Sequence, residues 1–100
     1  MSSETPHIEE RDNVGVKLIA GEEADAAAAT VAASYPDAVI EHYPAYISIE
    51  VPKRVTFEIE RIAEQLGRPY DMPTFLVILS SYNGRINVED NRITISSELG

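Results

Sequence analysis

Between residues 13 and 20 the apolar side chains take alternate positions, with Val14, Val16 and Leu18 on one side, and Gly21 closes the run. A two-residue period is that of a strand with one buried face. Residues 22–34 follow without Gly or Pro, rich in alanine, with Glu22, Glu23 and Asp25 in the first turn, where the positive end of the helix dipole favours anions. This predicts a helix whose Ala24, Ala27, Ala28 and Ala32 lie close against a sheet, ended by Tyr35-Pro36-Asp37. Residues 38–42 and 45–50 alternate again on either side of Tyr43-Pro44 and predict a β-hairpin.

After Pro52 two periods compete. Val55, Ile59, Ile62 and Leu66 share a helical face, but a helix from Arg54 would turn Phe57 away from that face into water. A strand over residues 54–57, folded back on residues 46–50 through Val51-Pro52-Lys53, keeps Val55 and Phe57 together, and the helix then begins near Glu58. That is the predicted arrangement, with Gly67 and Pro69 as the helix stop. The longest apolar run, Met72 and then residues 75–79, has hydrophobic side chains on both sides. It predicts a fully covered strand in the middle of a sheet, after one short helical turn over residues 71–74. The run stops at Ser80-Ser81-Tyr82-Asn83-Gly84, where Asn83-Gly84 signals a hairpin turn into residues 85–88. A last strand over residues 92–97 alternates Ile93 and Ile95 with Thr94 and Ser96. The order β-α-β-β-β-α-β-β-β predicts a compact α+β fold, two helices on largely antiparallel sheets. It forms one domain over residues 13–100 behind a flexible arm over residues 1–12.

Charge and composition narrow the function. With 17 acidic against 8 basic residues the net charge is −9, so the surface repels phosphate backbones and anionic lipid, and neither nucleic acid nor membrane is an expected partner. A basic groove on another protein suits it better. The chain has no cysteine, which removes disulfides, thiolate metal sites and cysteine nucleophiles together. No run approaches the ~18 apolar residues of a membrane span, and a cytoplasmic location is expected.

The supply of catalytic groups is thin. His7 and His42 lie far apart, Glu58, Glu60 and Glu64 lack an accompanying Glu-x-x-His, Ser80 and Ser81 have no nucleophile elbow, and the glycines form no phosphate loop. No catalytic, metal-binding or cofactor-binding residue is expected. What remains is recognition, for which Ser80, Ser81, Tyr82 and Asn83 offer adaptable hydroxyls and an aromatic with a polar end. From the residues alone two accounts of this stretch stand side by side: a recognition edge, or an ordinary turn whose serines bond to nearby backbone.

Three segments carry a family resemblance: Leu66-Gly67-Arg68-Pro69-Tyr70-Asp71-Met72, the run from Phe75 to Arg85, and Asn91-Arg92-Ile93-Thr94-Ile95-Ser96-Ser97-Glu98-Leu99. Asn13-Val14-Gly15 extends it toward the start of the chain. Together they resemble the regulatory (effector, or coupling) proteins of bacterial soluble di-iron multicomponent monooxygenases, most of all the methane-type and short-chain hydrocarbon members. The resemblance implies a non-catalytic, cofactor-free protein, monomeric when free. Such a protein docks on the hydroxylase, whose α subunit holds the irons, and tunes oxygen activation and substrate access, here for short-chain alkanes or alkenes. It implies a hydroxylase interface at Ser80, Ser81, Tyr82, Asn83 and Asn13, with the Ser-Ser pair matching the family and Tyr82 standing where the methane-type member has threonine. The alternative is a small binding or assembly module unrelated to oxygenases on a common α+β scaffold.

Overall fold

The computed structural model describes residues 12–97, so all of the expected N-terminal arm except Asp12 lies outside the described residues. Strand β1 (Asn13–Ile19) realises the first alternation and places Val14, Val16 and Leu18 in the core. It pairs antiparallel with β3 (Tyr46–Pro52), whose Ile47, Ile49 and Val51 face the same way, and β3 pairs with β2 (Val39–His42) as the predicted hairpin. Helix α1 (Glu22–Ser34) has the predicted bounds. Its buried side includes Ala26 and Val31 as well as Ala24, Ala27 and Ala28, because α2 (Ile59–Leu66) packs along it in addition to the strands. Ala32 is exposed, contrary to the expected alanine stripe. The buried Thr30 hydroxyl donates to the Ala27 carbonyl at 2.8 Å, which removes the cost of burying it.

The strand reading of residues 54–57 holds, as β4 (Arg54–Glu58), but its partner differs from the one predicted. β4 pairs with β7 (Arg92–Ser96), not with β3. Lys53 explains the change. It takes φ 70°, its N–H bonds to the Asp12 carbonyl and its own carbonyl accepts from Ser97, so the chain turns a corner into a second sheet instead of folding back. Helix α2 then starts one residue after the predicted point and buries Ile59 and Ile62. Gly67 closes it at φ 74°, with its N–H on the Ala63 carbonyl.

The apolar run is where the structure departs furthest from expectation. Residues Met72–Ile78 form a third helix, α3, and only Leu79–Tyr82 form a strand, β5. Local chemistry selects helix: Asp71 caps α3 by accepting from the Thr74 N–H at 3.0 Å, and Pro73 sits in the first turn, where its missing N–H costs nothing. Met72 and Phe75 are buried one turn apart, while Leu76 and Val77 face outward, so a run that reads as covered on both sides is amphipathic. β5 lies at the edge of its sheet, in the order β2-β3-β1-β5, not in the middle. β6 (Arg85–Val88) completes the second sheet, ordered β4-β7-β6. Asn83-Gly84 is therefore a corner between sheets and not a hairpin turn.

The α+β class holds, with three helices and two antiparallel sheets. Phe57 of β4 and Phe75 of α3 meet at the centre, ring centroids 5.1 Å apart and tilted by 41°. Such a pair adds ~0.5–1.5 kcal/mol beyond its burial. Tyr70 ties the segment before α3 to α1 by donating to Glu23 at 3.0 Å; burial first, and then that bond, hold its phenol above the usual range.

The Asp71 cap makes α3 sensitive to acid. The Thr74 hydroxyl and then the Thr74 N–H hold the Asp71 carboxyl below its ordinary 3.8. A folded value below the unfolded one adds stability while the pH stays above 3.8 and loses it as the pH falls through the lower folded value. Asp71→Asn keeps a cap without the charge. The expected result is a wild-type unfolding midpoint that falls more than the variant's when the pH is lowered from about 5 to about 2. Parallel curves for the two proteins would show that the cap is not coupled to the proton.

Candidate functional site

The expected interface residues are held on β1 and β5. Lys17 pairs with Ser81 and Leu18 with Leu79, so Ser80 is the extra residue of a bulge that aims it away from the ladder. Ser80, Ser81, Tyr82 and Asn83 are all exposed, and Tyr82, opposite the buried Val16, keeps 42 % of its surface open. Asn83 fixes the end of the strand. Its side-chain oxygen accepts from the Gly15 N–H at 2.5 Å while its own N–H bonds to the Gly15 carbonyl at 3.0 Å. A Cβ at residue 15 would stand 3.4 Å from that oxygen, so glycine leaves the bond its room. Asn13, half-buried and opposite Pro52, lies two residues along β1 from Gly15 and so on the same face.

Gly15, Lys17 and Ser81 belong to a larger outward face, whereas Tyr82 pairs with the core-facing Val16 and reaches solvent on the other side of the edge strand. Lys17 lies between Ser81 and Ser48 and Gly15 opposite Glu50, and a shallow groove of about 280 Å³ runs over them. Beside it the Tyr43 and Tyr46 rings stack with centroids 4.8 Å apart, and the Lys17 Nζ sits 5.4 Å from the Tyr46 centroid, a cation–π contact. The Tyr43 hydroxyl donates to Glu41 at 2.7 Å, and that bond raises its phenol above the usual 10.0. Aromatics with polar ends on an open sheet face are typical of contact surfaces.

Two exposed sets were not foreseen, one on this face and one on α3. Tyr43, Tyr46 and Lys17 carry the signal of alternation, since Tyr46 and Ser48 oppose the buried Ile47 and Ile49. Leu76 and Val77, 40 % and 73 % exposed on α3, carry none, because the sequence reads them as core. Of the other residues considered, His42 is exposed on β2, Glu58, Glu60 and Glu64 are exposed around the start of α2 and along it, and His7 lies outside the described residues. Among the described residues no cluster of His, Asp or Glu could hold a metal ion, and no helix is long and apolar enough to cross a membrane.

An α+β scaffold that holds out a hydroxyl-bearing strand end beside an open aromatic face has the surface of a recognition protein. Comparison with known proteins agrees: the MmoB/DmpM family profile matches residues 12–96, and the chain belongs to that family. It is 37 % identical over 60 residues, 60 % of this chain and 67 % of the relative, to the phenol 2-monooxygenase stimulatory component DmpM of Pseudomonas sp. strain CF600. A structure of a phenol hydroxylase–regulatory protein complex contains a chain that superposes with a TM-score of 0.74 at 27 % identity, covering 84 % of this chain and 97 % of that one. The soluble methane monooxygenase regulatory protein B superposes at 0.67 and 29 % identity, covering 88 % and 67 %. These relatives are stimulatory or regulatory components of monooxygenases, not their catalytic subunits.

Proposed function

We propose that this chain is the cofactor-free regulatory component of a soluble di-iron monooxygenase, working in the cytoplasm and monomeric when free. It grips the hydroxylase α subunit through Ser80, Ser81, Tyr82, Asn83 and Asn13. The observation that carries the reading is the exposed end of β5, fixed by two Asn83–Gly15 hydrogen bonds in a chain of this family. A pre-set edge spends little entropy on docking, which leaves more of the contact energy to act on the partner. Binding shifts the hydroxylase toward its oxygen-activating form only as far as it is tighter to that form. A difference of ~1–3 kcal/mol moves the populations about 5- to 150-fold. Leu76, Val77 and the stacked Tyr43 and Tyr46 extend the contact beyond the residues first expected.

The test adds the purified protein to the hydroxylase and its reductase and follows turnover, product distribution and the yield of product per NADH. The phenol and methane systems both occur among the relatives, so the assay is run with a short alkene, the expected class, and with a phenol. Ser81→Trp and Tyr82→Ala each weaken the titration about tenfold, as loss of a central contact does, with the fold intact. Titrations unchanged for both variants would remove the strand end from the interface.

A further inference from the structure

The second sheet carries an independent feature on its outward, polar face. There β4 presents Arg54 and Thr56, β7 presents Thr94 and Ser96, and β6 presents Arg85 and Asn87, around a groove of about 650 Å³. In the register, Arg54 and Arg85 both stand opposite Ser96, one on each side. Two strand spacings put their Cα atoms ~10 Å apart, close enough for two long side chains to share one small anion. In the next row the Thr56 and Thr94 hydroxyls lie 3.2 Å apart with Asn87 beside them. The far end is acidic, with Glu58 opposite Arg92 and Glu89 bonded to Arg92 at 3.3 Å.

The state of the two arginines is unusual for this chain. Among the described residues the other cations are engaged: Lys53 with Asp12, Arg68 with Glu22, Arg92 with Glu89, Arg61 with the Ser34 hydroxyl, and Lys17 with the Tyr46 ring. Arg54 and Arg85 are exposed and have no acidic partner among the described residues, although the chain holds 17 acids for 8 bases. Two guanidinium groups flanking one serine leave a place where one anion can meet both.

We propose that the Arg54–Ser96–Arg85 end of this sheet is a carboxylate-binding surface that takes an Asp- or Glu-bearing segment of the hydroxylase. This rests on the regulatory reading given above and names a second contact within it. A carboxylate matches the bidentate geometry of guanidinium. The acidic far end and the net charge of −9 repel a polyphosphate. The row of Thr56, Thr94 and Asn87 gives an extended segment hydrogen-bond partners beyond its charged group. The hydroxylase is the occupant because Arg85 follows Asn83 by two residues, on the corner that leaves the exposed strand end. A basic spot on an acidic protein also fixes orientation, since only one placement opposes both signs.

The experiment titrates hydroxylase with the full-length wild type, the double variant Arg54→Glu/Arg85→Glu, the double variant Arg54→Lys/Arg85→Lys, and Arg61→Glu as a charge control. The glutamate pair is expected to bind at least about tenfold more weakly, with stimulation at saturation preserved and a shallower dependence of affinity on salt. The lysine pair retains most of the affinity, and Arg61→Glu titrates close to wild type. Wild-type affinity for the glutamate pair, or an equal loss for Arg61→Glu, would overturn the assignment. Dimerisation of the free wild type that the glutamate pair abolishes would make the occupant a second copy, and would overturn it as well. A hydroxylase that responds to wild type but not to the reversal rejects this contact alone, whereas one that never responds to wild type rejects the regulatory reading and this contact with it.

Discussion

Replacing Phe75 by alanine is expected to lower the free energy of unfolding by about 3–5 kcal/mol, read from the guanidinium midpoint at unchanged slope. Phe75 is fully buried, stacks at a tilt on Phe57 and, with Met72, is what holds α3 to the core. Removing the ring empties a space lined by Phe57 that a short helix cannot refill. Domains of this size are stable by only ~5–15 kcal/mol, so the loss is a large share of the total. The neighbouring Val77 supplies the contrast. At 73 % exposure, Val77→Ser is expected to stay within about 0.5 kcal/mol of wild type. If residues 75–79 formed a covered strand the two substitutions would cost similar amounts, so an equal loss at both positions would contradict the helix.

Gly84→Ala is expected to cost at least about 2 kcal/mol and to weaken hydroxylase binding with it. Gly84 takes φ 110°, outside the range of ordinary L residues, and a Cβ there would collide with the Ser96 backbone carbonyl. Neither backbone can move without breaking the pairing of β6 with β7 or the Asn83–Gly15 bonds. Gly67 separates the two causes. It also has a positive φ, 74°, but nothing lies within 4 Å of its Cβ position, so Gly67→Ala carries the conformational strain alone, about 1 kcal/mol. Equal unfolding losses for the two alanine variants would show that the collision with Ser96 is relieved.

The elements that were legible in the sequence have one face in water and one in the core. The alternation of β1, β3 and β7, the alanine-rich α1 and the glycine stop of α2 fall as predicted, because period and cap agree there. The errors lie where local pattern is silent. Met72, Phe75 and Ile78 hold a three-residue spacing inside a run whose other members are also apolar, so hydrophobicity cannot say which side is covered, and the Asp71 cap with Pro73 decides for helix. Strand partners are settled by residues distant in the chain. Lys53 and Asn83-Gly84 read as turns that fold a strand back, and only their bonds to Asp12, Ser97 and Gly15 make them crossings between sheets. Of the candidate site, the serines and Tyr82 were readable as a polar strand end and by family resemblance. The Leu76 and Val77 surface was hidden in the same apolar run, and the Arg54–Arg85 pair appears only once β7 is set between two strands far apart in sequence.

The two crossings at Lys53 and Gly84 flank the same end of β7, so the sheets are joined by continuous chain on both sides of Ser96. Two chain crossings on either side of one residue restrain bending at that corner more than a single linker would. On the proposed reading, a partner that closes on the tip of β5 meets a doubly joined corner and does most of the yielding itself.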